Sequence, residues 1–99
     1  MKYIANYVKM IDEELEGAKC YAEKYVEFKA KGDATWANRF KEMANQEIQH
    51  SMWLHDLTVS EIEKLREVFV PPAEMLDKWD KAHIEYVEKA AWVKQMLAM

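Results

Sequence analysis

Ninety-nine residues, 51% of them hydrophobic and 32% charged, provide for one globular domain with a single core and are too apolar for a disordered chain. Two glycines and two prolines leave too few turn residues for a β-rich fold, and a formal charge of −4 argues against a nucleic-acid partner. No stretch approaches 18 uninterrupted apolar residues and the opening MKYIANYVKM has no leader-like apolar run, so no membrane partner is expected and the expected location is the cytoplasm.

The first predicted helix runs from about Lys2 to Lys31. Its apolar positions are Ile4, Tyr7, Val8, Ile11, Leu15, Ala18, Tyr21, Ala22, Tyr25 and Phe28, at helical spacing. Gly32 suits a C-terminal stop and Asp33 an N-cap for the next element. The second helix is predicted from Ala34 to about Val70, with a bend or break expected at Thr58-Val59-Ser60. Ser60 and Glu63 fit a capping box at which the helix would restart. Pro71-Pro72 ends this element, because proline cannot continue the hydrogen-bond ladder and also restricts the residue before it. Pro72 suits the first turn of a third helix reaching about Leu97, with Leu76, Trp79, His83, Tyr86, Val87, Ala90, Val93 and Leu97 along one side. The predicted fold is all-α, a single domain over residues 1–99. An antiparallel hairpin carries a third helix and is expected to dimerise into a four-helix bundle.

Polar groups interrupt two of these stripes. Glu14 falls in the series Tyr7, Ile11, Ala18, Tyr21, Tyr25; Glu47 and His50 fall in the series Trp36, Phe40, Met43, Leu54, Leu57. Carboxylates on a core-directed face are costly unless neutralised. Counted from Gly32 at about 1.5 Å per residue, Glu14, Glu47 and His50 lie at depths of roughly 27, 23 and 27 Å along the hairpin. Glu47 and His50, three residues apart, can reach one point. Two carboxylates and an imidazole converging from neighbouring helices point to a metal ion, with iron or manganese suited to such donors and zinc acceptable.

Glu14-Leu-Glu-Gly-Ala-Lys-Cys-Tyr21 resembles the first-helix motif of the ferritin-like superfamily, specifically rubrerythrin and bacterioferritin, in which a ligand Glu precedes a Tyr by seven residues. Glu47-Ile-Gln-His50 resembles the second-helix Glu-x-x-His, and the interval from Glu14 to Glu47 matches the family's usual separation. The resemblance covers roughly residues 7–57. It implies a terminal ligand at Glu14, a bridging ligand at Glu47, a nitrogen ligand at His50 and a hydrogen-bonding partner at Tyr21. It further implies a di-iron centre with ferroxidase or peroxide- and O2-reducing activity. Family members carry a second hairpin with another Glu and another Glu-x-x-His, and this chain has neither after Pro71-Pro72. Either the activity is lost or two chains bring their halves together. Four carboxylates from two chains would balance two Fe2+ ions, giving a neutral, isologous site in a homodimer or higher homo-oligomer.

The remaining residues carry weaker signals. His83 is a candidate further ligand, but a straight second helix offsets it from His50 by about 14 Å, and histidine on an apolar face is more often a hydrogen-bonded core residue. His55 points away from His50 and is expected to be exposed. The lone Cys20 is expected to be buried or half-buried and without chemistry. The four Trp and five Tyr read mainly as core and interface packing. Two further functions compete with the redox centre. One is a non-catalytic helical dimerisation module with a structural or absent metal; the other is a mononuclear zinc site of Glu14, Glu47, His50 and His83.

Overall fold

A computed structural model describes residues 2–99 and contains three helices: α1 (Lys2–Ala30), α2 (Ala34–Val68) and α3 (Ala73–Leu97). Among the described residues there are no strands, and no helix is long and apolar enough to cross a membrane.

The turn between α1 and α2 follows from two residues. Gly32 takes φ = +79°, the left-handed conformation that costs other residues a steric clash. Its N–H donates to Lys29 and that of Asp33 to Phe28, both at 3.0 Å, which satisfies the last carbonyls of α1 in a Schellman motif. Asp33 then caps α2, its Oδ1 accepting from the Trp36 N–H at 3.2 Å.

α2 runs unbroken for 35 residues, without the bend expected at Thr58–Ser60. Thr58 is fully buried and its hydroxyl donates to the Leu54 carbonyl at 2.7 Å; Ser51 does the same to Ile48 at 2.6 Å. Bonding back onto the preceding turn lets both residues stay inside the helix. The helix stops at Val68, two residues short of the expected end. Phe69 is already extended, and Val70 precedes Pro71, where α geometry is disfavoured. Pro72 is the N-cap of α3, one position before the first turn in which it was expected.

The core lies between α1 and its two neighbours. Ala18, Ala22, Tyr25, Ala37, Ala44, Ile48, Val93 and Leu97 form one buried cluster, and Ile11, Leu15 and Ala90 a second. Alanines at the crossings let the helix backbones approach closely. α3 lies along α1 and touches α2 only lightly. Lys89 of α3 pairs with Asp12 and Glu16 of α1, and Lys19 sits over the Trp92 ring. Leu15 is 2% exposed at this junction. Leu15→Ala is therefore expected to cost about 2–4 kcal/mol in chemical denaturation.

One expectation is corrected here. The buried residues of α2 are Ala37, Ala44, Ile48, Ser51, Thr58 and Ile62. That face is turned about 90° from the stripe expected to be core. Small residues occupy the close contact with α1, while Trp36 and Leu57 of the expected stripe are exposed and Phe40, Met43 and Leu54 only half-buried.

Candidate metal centre

Glu14 of α1 and Glu47 and His50 of α2 come together on the flank of the hairpin. The sequence dictates which flank. Asp12 and Glu16 reach Lys89 of α3, and Glu14, two residues from each, lies about 160° around α1 from both. The cluster therefore faces away from α3, on the open side of the hairpin.

One ligating atom from each of the three residues lies within 4.8 Å of the others. His50 Nδ1 is 3.4 Å from Glu14 Oε2, at side-chain exposures of 46% and 29%. Glu14 Oε2 is itself buried and accepts no hydrogen bond. The imidazole contact is thus an electrostatic approach at a distance too long for a well-formed hydrogen bond. The carboxyl of Glu47 is pushed up to about 6, first by sharing a proton with Glu14, then by burial and by the Glu14 charge; His50 opposes the shift. Near neutral pH the pair gives up that proton and presents two negative charges to one small volume, with an imidazole nitrogen beside them.

Two neighbours shape the volume. A Cβ on Gly17 would lie 3.1 Å from Glu47 Oε2, tighter than ordinary van der Waals contact. Gly17 thus clears the space into which Glu47 reaches. Sequence reading passed over this residue, although an uncapped glycine inside a long helix, costing about 1 kcal/mol against alanine, was a legible signal. Gly17→Ala is expected to strengthen the helix while weakening divalent-metal binding about tenfold, measured by thermal melting and calorimetric titration of the same preparation. The second neighbour is Trp53, whose ring lies 6.0 Å from that of His50 and is 61% exposed.

Other expected participants lie elsewhere. Tyr21 stacks on Phe40 with centroids 6.2 Å apart, and among the described residues no hydrogen bond joins its hydroxyl to Glu14 or Glu47. His83 is outside the three-residue cluster; its Nδ1 lies 2.8 Å from Nε2 of His55. His55 is not exposed as expected. Its side chain is 18% accessible and packs against Trp79, His83 and Tyr86. The angle that turns it from His50 aims it at α3, a neighbour that a reading of the hairpin alone omits. Cys20 is exposed, contrary to expectation, because it lies two residues from each of the buried Ala18 and Ala22, about 160° around α1 from both.

No known family, curated protein or solved structure matches this chain. The chemistry of the cluster itself carries the functional reading.

Proposed function

We propose that Glu14, Glu47 and His50 bind a divalent metal ion, iron in preference, and that a second copy of the chain completes a di-iron centre. The observation that carries this reading is the buried, unpartnered Oε2 of Glu14, set beside a second carboxylate and an imidazole nitrogen. A proton neutralises such a focus only below about pH 6. A cation does so at neutral pH, and the clearance at Gly17 accommodates the carboxylate that would hold it.

The apolar surface around the cluster supports the two-chain form. On α2, His50, Leu57 and Val68 fall on one line of the helix, with Trp53 alongside, and all four are exposed. On α1, Tyr3 and Met10 lie on the Glu14 side and are exposed as well. A large apolar stripe interrupted by metal-ligating groups suits a self-complementary contact. Two such faces would bring together four carboxylates and two imidazoles, the complement that two Fe2+ ions balance.

When bound, iron supplies one-electron redox chemistry toward O2 or peroxide, the ferroxidase or peroxide-reducing activity implied by the ferritin-like resemblance. The residues of this chain do the rest. Glu14 and Glu47 release their shared proton and offer oxygen, His50 offers Nδ1, and Trp53 holds the imidazole plane on its solvent side. Metal-free protein titrated with Fe2+ without oxygen should take up one ion per chain and sediment as a dimer; admitting air should raise near-ultraviolet absorbance from ferric iron. A metal-loaded monomer excludes the shared site. A dimer that takes up no metal instead identifies a non-catalytic interaction module.

A further inference from the structure

We propose that His55 and His83 form a proton-counting latch that fastens the first half of α3 to α2 and opens in acid, independently of the metal centre. α3 is held mainly by α1, and the bond between His55 Nε2 and His83 Nδ1, at 2.8 Å, is the side-chain hydrogen bond that joins it to α2 among the described residues. Such a bond needs one N–H and one bare nitrogen. His55 Nδ1 faces Asp56 Oδ1 at 3.6 Å, which favours the proton on that side. Nε2 of His55 then accepts from the Nδ1–H of His83. The rings of Trp79 and Tyr86, 5.3 and 4.8 Å from that of His55, hold the pair in place.

The charged groups around the pair set its response. Asp56 comes from α2. Asp12 of α1 and Glu85 and Tyr86 of α3 line the small cavity that His55 borders, and Lys89 of α3 is engaged by Asp12 and Glu16. One added proton is tolerated: it enters at the bare Nε2 of His83, one N–H still faces one bare nitrogen between the two rings, and the charge is offset by these carboxylates. A second proton leaves two N–H groups and two positive charges facing each other, and the bond cannot persist. Trp79 also lines an apolar groove of about 370 Å³ with Ile4, Val8 and Met75, so release of the latch loosens that wall.

The test is carried by the intact wild-type chain. Imidazole resonances of His55 and His83 followed by NMR as the pH is lowered should each report both protonation events, as coupled sites do. Across the second protonation, amide exchange over residues 75–86, corrected for its intrinsic pH dependence, should accelerate at least about fivefold while the Leu15 and Ala44 amides do not. His83→Gln should leave the His55 resonances reporting one protonation event and remove the pH dependence of exchange in α3. Two independent one-step titrations, or protection of residues 75–86 that is flat across both steps, overturn the proposal whether or not the variant folds.

Discussion

Replacing Glu47 by glutamine is expected to lower affinity for Fe2+, Mn2+ or Zn2+ by more than about a hundredfold, since loss of a ligand exceeds the 10–100-fold typical of an outer partner. Glutamine keeps the volume beside Gly17 but cannot supply the negative oxygen that the buried Oε2 of Glu14 faces. Glu14→Gln should cost about as much. His50→Ala removes the nitrogen donor, and its large exposure means the fold survives the change. Because the three groups act on one ion, the double variant should be scarcely worse than either single one. Calorimetric titration of metal-free protein measures all of these. Equal affinity in wild type and Glu47→Gln would remove the metal centre from consideration.

The same substitution should stabilise the metal-free protein. The Glu47 carboxyl titrates at about 6 when folded, against an ordinary value of 4.5. Between those values the folded chain holds a proton that the unfolded chain has released. Stability therefore rises as pH falls from about 7 to about 4.5, and the contribution is absent above pH 6. With partial solvent screening the difference is about 1 kcal/mol. Glu47→Gln should abolish this slope and, at pH 7.5, unfold at correspondingly higher urea. The order should invert once metal is present at about 100 times its dissociation constant, where wild type alone gains about 2.7 kcal/mol. Subtracting the variant's pH curve from that of wild type cancels the other carboxylates.

What could be read in advance was what local rules govern. Gly32 and Asp33 announced the hairpin turn because a left-handed residue and a cap have few substitutes, and the equal depths of Glu14 and His50 followed from that turn. The facing of α2 was not legible. Apolar periodicity pointed to Trp36, Phe40 and Leu57, whereas close helix contact selected Ala37, Ala44 and Ser51, and periodicity does not weigh side-chain size. His55 was misjudged for a related reason: which flank of the hairpin α3 covers is decided by contacts such as Lys89 with Asp12, far apart in the chain. The break expected at Thr58 failed because its hydroxyl bonds to its own helix, a choice that propensity leaves open.

The lopsided attachment of α3, along α1 and barely on α2, has a kinetic consequence. The hairpin closes over the short turn at 31–33 between helices adjacent in sequence, so its search is short. α3 docks by joining positions 12 and 89, 77 apart in the chain, a non-local contact that forms more slowly. The third helix is thus expected to be the last piece to arrive during folding and the first to depart, with the hairpin as the nucleus on which it condenses.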